Sequence, residues 1–401
     1  MAAADIHPLR AAAEAILPDV VEIRRRIHRR PEIGLHLPAT QVVIAEELRR
    51  LGLEPRLGGT TTSVVAVIDG GSPGGTTLLR ADMDGLPLRE DTGLDFASEV
   101  PGAMHACGHD THVAMLLGAA RLLVERAEDL SGRVLLMFQP GEEGFHGARF
   151  MLDEGLLEDG DHGVGDVERA VALHISTRYP SGTVALRPGA MLASADAIKG
   201  TVVGRGGHAS TPHLALDPVH VAAEFVVALQ SVVSRRVDAF DPAIVSITRL
   251  DGGTANNIIP ESVAFEGTIR TVSPAMRAKV GDWVRQVAAG VAATHGATID
   301  LEIVPGFPVT MNDPEATAWF REMAVAVAGE AVVDDLAAPI MGAEDFSYVL
   351  QRVPGLMAFV GARPAGEDPD TAPQNHSNRV VFDEPAMAVG VALYAAAALG
   401  R

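Results

Sequence analysis

The sequence predicts an α/β protein in which a domain with a mostly parallel sheet flanked by helices is interrupted by a smaller α+β domain. Short β-branched runs alternate with helical patterns over residues 1–189 and again over residues 307–401, which is typical of parallel α/β units. Over residues 190–306 the predicted order becomes βαββαβ, that of a ferredoxin-like unit. The 401 residues are 47% hydrophobic and 21% charged, a globular composition with ample material for a core.

The elements of the larger domain follow from two hydrophobic periods. Apolar residues at helical spacing predict helices over residues 9–30, 40–51, from about 111 onwards, 314–328 and 386–399. Runs rich in β-branched residues predict strands over residues 64–68, 76–81, 134–138, 170–173 and 357–360. Asp110 stands where the N-cap of the third helix is expected.

The inserted domain is predicted from the same two periods. Its expected elements are a strand at 197–203, a helix at 218–233, strands at 243–250 and 262–271, a helix at 274–294 and a strand at 298–304. Pro305 and Pro308 flank the return to the larger domain. The insertion therefore forms a self-contained unit between two stretches of α/β sequence.

Charge and cysteine content exclude several classes of partner. The chain has 32 basic and 52 acidic side chains, and its net charge of −20 repels phosphate backbones and anionic lipid, so we expect neither nucleic acid nor membrane as a partner. Cys107 is the one cysteine, which precludes an intrachain disulfide and suits a reducing compartment. Residues 386–399 are too short for a membrane span, and residues 1–8 lack a signal-peptide pattern. We expect a soluble cytoplasmic protein.

Polar side chains follow the predicted strands of the larger domain. The carboxyl ends of parallel strands meet at one edge of a sheet, where the chemistry of open α/β folds gathers. The residues delivered there, with those of the loop before the third helix, are Asp82, Asp84, Cys107, His109, Asp110, Glu142, Glu143, His174 and His376.

Thiolate, imidazole and carboxylate groups together suit a borderline divalent ion such as zinc or manganese. Gly108 allows a sharp bend between Cys107 and His109, and the adjacent Glu142 and Glu143 are costly to bury unless a cation compensates them. Each motif alone also has an ordinary explanation: a packed Cys-X-His, a solvated acidic loop or a hydrogen-bonded core histidine. Their joint placement at one edge favours a metal site.

With these motifs the chain resembles the M20 metallopeptidase family, and most closely its amidohydrolase branch. The segments that carry the resemblance are RADMDGLPL (80–88), MHACGHDTHVAMLLGAA (104–120), FQPGEEG (138–144), ALH (172–174), GRGGHASTPH (204–213), NNIIP (256–260), GTIR (267–270), MGAEDF (341–346) and NHS (375–377). Other M20 branches have His-X-Asp where this chain has Asp82-Met83-Asp84. Asp82 is therefore left out of the implied ligands.

The resemblance implies a catalytic domain, 1–189 and 307–401, that holds two divalent ions, and a lid, 190–306, through which a homodimer or a higher homo-oligomer forms. Manganese or zinc is expected, and cobalt or nickel also suits the ligands. The metal ligands carried over are Cys107, His109, Glu143, His174 and His376. The implied general base and acid is Glu142, and Asp84 is expected to orient a ligand from behind, although a strand-end turn is an equal reading.

The resemblance also assigns residues of the lid. His208 is expected to stabilise the oxyanion, and Asn257 and Arg270 to hold a substrate carboxylate; a surface histidine and a surface arginine are the plain alternatives. No role follows for Glu344 and Asp345. The remaining histidines singled out, read as structural or surface residues, are His28, His112, His146, His213 and His220.

The function implied is metal-dependent hydrolysis of the amide bond of N-acylated amino acids, a class of small-molecule substrate. The same chemistry would serve an N-acetyldiaminopimelate deacetylase or a dipeptidase. A homologue that binds metal or ligand without catalysis is the alternative outside enzymes, and the presence of Glu142 together with all five implied ligands speaks against it.

Overall fold

The computed structural model describes residues 7–158 and 167–400, which form two compact units. Unit 1 comprises Met1–Met191, Met311–Ala338 and Asp345–Arg401, and unit 2 comprises Leu192–Thr310 and Pro339–Glu344. The strands are β1 (Arg56–Leu57), β2 (Val64–Asp69), β3 (Ser72–Asp82), β4 (Ser131–Gln139), β5 (Val167–Pro180), β6 (Val184–Leu186), β7 (Gly189–Leu192), β8 (Asp196–Val203), β9 (Gly207–His208), β10 (Ala243–Asp251), β11 (Ile258–Ile259), β12 (Ser262–Thr271), β13 (Thr298–Val304), β14 (Thr310–Asn312), β15 (Val333–Asp335) and β16 (Gly355–Arg363). The α-helices are α1 (His7–His28), α2 (Pro38–Arg50), α3 (His109–Val124), α4 (Gly147–Asp153), α5 (Pro218–Arg235), α6 (Pro274–His295), α7 (Pro314–Ala328), α8 (Ser347–Leu350) and α9 (Ala386–Leu399).

Unit 1 is built on an eight-stranded sheet in the order β1-β2-β4-β3-β5-β16-β6-β15. Its four central strands, β4, β3, β5 and β16, are parallel to one another, whereas β1–β2, β2–β4 and β16–β6 are antiparallel pairs. The predicted α/β class with a mostly parallel sheet is therefore confirmed. The carboxyl ends of the four central strands meet at one edge, and this edge carries the site described below.

Helix α9 lies in the core of unit 1, and all fourteen of its residues are buried. It packs against α1, α3 and α7, and its alanines let those helices approach closely. The prediction of a buried helix over 386–399 is thus confirmed at both ends. Among the described residues, no helix has both the length and the apolar character that crossing a bilayer requires.

Unit 2 contains a four-stranded antiparallel sheet in the order β10-β12-β8-β13, and helices α5 and α6 pack against it. Along the chain these elements run β8, α5, β10, β12, α6, β13, which is the βαββαβ order expected from the sequence. Each helix begins with a side-chain cap and a proline: Asp217 caps α5 and Ser273 caps α6.

The predicted start of α3 is wrong. The helix begins at His109 and the N-cap position belongs to Gly108, which has a φ of +92°, so Asp110 is inside the first turn. Asp110 does not cap because its carboxylate faces the core, where Oδ2 accepts hydrogen bonds from Nε of Arg24 at 2.9 Å and Nδ1 of His28 at 2.8 Å. This buried network fixes the first turn of α3, which also carries His109.

Candidate metal centre

The predicted ligands come from four places along unit 1. Cys107 and His109 flank the N-cap of α3, Glu143 lies in the turn after β4, and His376 lies in the loop between β16 and α9. His174 lies within β5, opposite Phe359 of β16, because β5 continues to Pro180 and is longer than predicted.

The structure brings all five predicted ligands together in two groups of three that share Cys107. In the first group, the donor atoms of Cys107, His109 and His174 lie within 4.8 Å of one another. In the second group, the donor atoms of Cys107, Glu143 and His376 do the same. Two adjacent triads with a common thiol have the dimensions of two neighbouring metal sites, and these five residues would hold the ions.

Buried donor atoms that lack hydrogen bonds support this interpretation. His109 is completely buried and neither of its ring nitrogens has a hydrogen-bond partner, and Oε1 of Glu143 is likewise buried without one. That oxygen lies 3.1 Å from Nε2 of His376, but the two atoms do not have the geometry of a hydrogen bond. Buried polar atoms of a folded protein are nearly always satisfied. A divalent cation would satisfy these donors, so the residues fit a metal ion.

The carboxylates around His109 and Cys107 favour a positive charge at this place. Burial alone lowers the pKa of His109, but the carboxylates of Asp82 and Asp84 outweigh it and raise that pKa to about 10. Burial, together with the charges of Glu143 and Glu142, raises the pKa of the Cys107 thiol well above its usual value. A metal ion reverses this effect, because a coordinated thiol gives up its proton.

His174 is held in the form that binds metal. Its Nδ1 lies 2.7 Å from the carbonyl oxygen of Ile175, which can only accept, so Nδ1 carries the proton. The lone pair of Nε2 then faces Sγ of Cys107 at 3.4 Å. Burial lowers the pKa of His174 well below its usual value, which keeps the ring neutral and available as a ligand.

Asp84 holds the turn that carries the two glutamates. Its Oδ1 accepts the backbone N–H of Glu142 at 3.0 Å, and its Oδ2 accepts that of Glu143 at 3.1 Å. Oδ1 also lies 3.4 Å from Nδ1 of His109. Glu142 is buried, and its carboxylate lies within 4.8 Å of donor atoms of both His109 and Glu143.

Asn375 was not singled out from the sequence, although it precedes His376 in the NHS motif. Its side-chain amide donates to the carbonyl oxygens of Cys107 at 2.9 Å and Ile175 at 3.0 Å. His376 itself has a positive φ of 71°, and its backbone N–H donates to the carbonyl of Ala106 at 2.8 Å. The loop after β16 is therefore tied to the loop before α3.

His112 was read as a structural residue, and its contacts place it directly behind the centre. Its Nε2 accepts the N–H of Ile175 at 2.7 Å, and its Nδ1 donates to Oδ1 of Asp82 at 2.5 Å. The other oxygen of Asp82 accepts from Nη1 of Arg80 at 2.6 Å. Both ring nitrogens of His112 are thus engaged, and each oxygen of Asp82 accepts one hydrogen bond, although these two residues and His109 also lie close enough together to hold an ion. The spacing of His109 and His112 on one helix face was the signal available in the sequence.

Asp345, to which sequence analysis assigns no role, is a buried anchor of unit 1. Its Oδ1 accepts from Nε2 of Gln139 at 2.6 Å and Nη2 of Arg80 at 3.2 Å, and its Oδ2 accepts from the N–H of Ala148 at 2.9 Å. It thereby joins β3, the end of β4 and the start of α4. Glu344 is buried and belongs to unit 2.

The three predicted substrate residues lie on unit 2. His208 is exposed in β9, and the pairing of β9 with β11 brings it beside Asn257, whose carbonyl accepts the N–H of Ala209 at 3.0 Å. Nδ1 of His208 accepts from the backbone N–H of Ser210 at 3.1 Å, which leaves Nε2 facing outward. Arg270 lies on β12, and burial lowers the pKa of its guanidinium.

Relatives from an archaeon and a plant illustrate how far along this chain the similarity extends. Thermostable carboxypeptidase 2 of Saccharolobus solfataricus is 39% identical over 384 residues, which cover 95% of this chain and 94% of that protein. IAA-amino acid hydrolase ILR1-like 2 of Arabidopsis thaliana is 36% identical over 385 residues, covering 95% of this chain and 84% of that protein.

A solved structure and a family profile agree with these relatives. The crystal structure of the Bacillus subtilis YXEP protein, described as a dinuclear metal binding peptidase from the M20 family, superposes with a TM-score of 0.82 at 32% identity and covers 96% of this chain and 98% of its own. Residues 78–400 match the profile of peptidase family M20/M25/M40, which confirms the resemblance that the motifs indicate. The chain therefore belongs to peptidase family M20/M25/M40, as an enzyme of the amidohydrolase type.

Proposed function

We propose that this enzyme hydrolyses the amide bond of N-acylated amino acids, producing a carboxylic acid and a free amino acid. The observation that carries the proposal is the pair of donor triads that share Cys107, next to the buried carboxylate of Glu142. The plant relative is named for the hydrolysis of an amino-acid conjugate, and the archaeal relative for the removal of a terminal amino acid.

Two divalent ions would be held by Cys107, His109, Glu143, His174 and His376. Manganese and zinc suit this mixture of sulfur, nitrogen and oxygen donors, as do cobalt and nickel. Such ions, when bound, lower the pKa of water towards neutrality and polarise a carbonyl group.

Glu142 acts as the proton carrier in this proposal. Its carboxylate takes a proton from the attacking water and later delivers that proton to the nitrogen of the leaving amine, so no covalent intermediate with the protein forms. Burial at 6% exposure shields this transfer from bulk water, and the anchor of Asp84 on its backbone N–H fixes its position. Glu143, the next residue, would serve as a metal ligand.

Residues of unit 2 complete the proposal. Arg270 is suited to a bidentate contact with the carboxylate of the substrate, supported by Asn257. His208 donates to the oxyanion as the carbonyl is attacked, and its outward Nε2 has the freedom for that contact. These assignments rest on the motifs that the chain shares with its family.

A homodimer formed through unit 2 is part of the proposal. Phe240 is 98% exposed and Val227 is 71% exposed, and association through these side chains would remove their apolar surface from water. Strand β10 also lies at the edge of its sheet and leaves one row of backbone groups unpaired by the sheet. A second copy of the chain would cover both features.

The test of this function is the isosteric substitution Glu142→Gln, compared with Glu143→Gln. Glu142→Gln should retain its metal and lose at least about a hundredfold in the hydrolysis of N-acyl amino acids, because a positioned acid–base group contributes that much. Glu143→Gln should lose metal as well as activity. Both metal content and turnover are to be measured on the same samples. Near-normal turnover of metal-loaded Glu142→Gln would remove Glu142 from the mechanism.

Peptide hydrolysis is the second candidate, favoured by the carboxypeptidase among the relatives. A panel of N-acetyl, N-benzoyl and N-indoleacetyl amino acids, N-acetyldiaminopimelate and simple dipeptides separates the two, because both use the same centre and differ in the acyl group. Higher kcat/KM on dipeptides than on all acyl amino acids would decide for a dipeptidase. Metal-loaded protein that cleaves none of them would indicate a binding protein.

A further inference from the structure

Unit 2 carries another group of metal-binding side chains, and it shares no residue with the centre described above. His220 and Glu224 lie one turn apart on α5, and His295 is the last residue of α6. The proposed function uses none of the three.

Three donor atoms converge at this place. Nε2 of His295 lies 2.6 Å from Oε2 of Glu224, and Nε2 of His220 lies 4.0 Å from the same oxygen. The two imidazole rings meet edge to face, 5.2 Å apart and perpendicular. One donor atom from each residue lies within 4.8 Å of the other two, so the group has the dimensions of a single metal site.

An ordinary ion pair explains only part of this arrangement. The contact of His295 with Glu224 is a hydrogen bond, but His220 at 4.0 Å is beyond hydrogen-bond distance and still faces the same oxygen. Ligands bound tetrahedrally at about 2.1 Å are about 3.4 Å from one another. The two measured separations lie on either side of that value. All three side chains retain solvent exposure, at 67% for His220, 43% for Glu224 and 20% for His295. Small rotations of these side chains would therefore bring the donor atoms to the ligand–ligand distance of a tetrahedral site.

We propose that His220, Glu224 and His295 bind one divalent ion of the zinc class, with water filling the remaining position. Two imidazoles and one carboxylate suit zinc, nickel or copper, and they do not suit magnesium or calcium, which prefer oxygen ligands. The ion joins the first turns of α5 to the end of α6, the two helices that cover one face of the sheet of unit 2. Its role is therefore to stabilise unit 2, independently of the reaction at the other centre.

Zinc stoichiometry tests the proposal directly. The holoenzyme and its His220→Ala variant are dialysed against the same free zinc concentration, and bound zinc per chain is measured by mass spectrometry of the elements. His220 is mostly exposed, so the variant should fold normally, and circular dichroism verifies this. The wild type should hold one ion more than His220→Ala and His295→Ala. The matched control is His213→Ala, which removes another exposed histidine of unit 2 and should bind as the wild type does.

Equal zinc content in the wild type and His220→Ala overturns the proposal, as does an equal loss in His213→Ala. Ions exchanged at the other centre do not disturb the comparison, because all variants share that centre. Thermal unfolding adds a second measurement: added zinc should raise the Tm of the wild type more than that of His220→Ala. If Glu224→Gln and His295→Ala lower the Tm without added zinc while His220→Ala responds to zinc like the wild type, the cluster is an ion pair and the proposal is wrong.

Discussion

Single carboxylates position several groups of the candidate centre at once. Asp84 accepts both backbone N–H groups of the Glu142–Glu143 turn, and Asp82 binds His112 and Arg80 with its two oxygens. Hydrogen bonds behind a metal ligand fix its orientation, and their loss commonly costs ten- to a hundredfold in affinity or activity. Substitutions of residues that hydrogen-bond to the ligands are therefore expected to lower the reaction rate, although these residues do not contact the substrate.

The substitution Asp84→Asn tests this positioning. The side-chain amide would place a donor against a backbone donor, so one of the two charge-assisted hydrogen bonds, each worth about 1.5–3 kcal/mol, is lost. We expect kcat to fall about tenfold to a hundredfold with KM nearly unchanged, measured by steady-state kinetics on metal-loaded protein. Asp69→Asn, at an exposed ion pair with Arg133, is the matched control and should keep its kcat. A normal kcat for Asp84→Asn would contradict the assigned role.

The buried His28 makes stability depend on pH. Burial lowers its pKa, but the charge of Asp110 and hydrogen bonds to Asp110 and Glu90 prevail and raise the pKa to about 9, from 6.5. The protonated ring is thus favoured in the folded state, and its contribution is complete below pH 6.5 and is lost as the pH rises through about 9. Between these values the free energy of unfolding should fall by up to about 1.4 kcal/mol per pH unit.

Urea unfolding of the wild type and of His28→Gln, at intervals from pH 6.5 to 9, measures this contribution. The variant has no titrating group at that position, so the difference between the two proteins isolates His28. The difference should shrink steadily as the pH rises. A difference independent of pH would show that His28 is neutral throughout.

At the level of helices and strands, runs of β-branched residues predicted the strands and apolar residues at helical spacing predicted the helices. These predictions succeed because the pattern that buries one face of an element is local in the sequence. Helix α9 and strand β12 have the bounds that were predicted. The errors occur where a distant residue decides. Asp110 is not an N-cap because Arg24 and His28, more than eighty residues away, bind its carboxylate. The role of His112 depends in the same way on Asp82 and Ile175, and no pattern along the chain reveals those partners.

Position 108, at the start of α3, requires glycine for two reasons: its backbone has a positive φ, and no space is left there for a Cβ. Its φ is +92°, and a Cβ there would lie 2.4 Å from Cγ2 of Ile175, between the ligands Cys107 and His109. Gly108→Ala should therefore lower the free energy of unfolding by about 1–2 kcal/mol for the backbone and about 1–3 kcal/mol more for the clash, and reduce bound metal. Urea unfolding and metal analysis measure the two effects.

Gly102→Ala is the matched control for that substitution. Gly102 also has a positive φ, of 80°, but a Cβ there meets nothing within 4 Å. The control should show the backbone cost alone and retain its metal. Equal losses in the two variants would refute a special role for the space around Gly108.

For the whole molecule, the chain divides into one unit that holds the candidate centre and another that carries the proposed substrate residues together with the exposed Phe240 and Val227. The α/β class and family were readable from the sequence, because sheet-edge ligands and motifs are local. The homodimer rests on the family resemblance alone, because an assembly depends on a surface formed by two copies.

Sedimentation velocity tests the homodimer. The wild type should sediment with twice the mass of one chain, and Phe240→Ser should weaken the association, because it removes a side chain that is 98% exposed in the single chain. Leu57→Ser, at an exposed apolar position of unit 1, is the control and should leave the mass unchanged. A wild type that stays monomeric at micromolar concentrations would rule out the dimer.

The position of His376 along the chain has a consequence for biosynthesis. Four of the five candidate ligands precede unit 2, whereas His376 follows it, beyond a central strand, β16, that completes the sheet between β5 and β6. The donor of His376 is therefore synthesised only after unit 2 and β16. A nascent chain that has not reached residue 376 would hold at most four of the five candidate ligands.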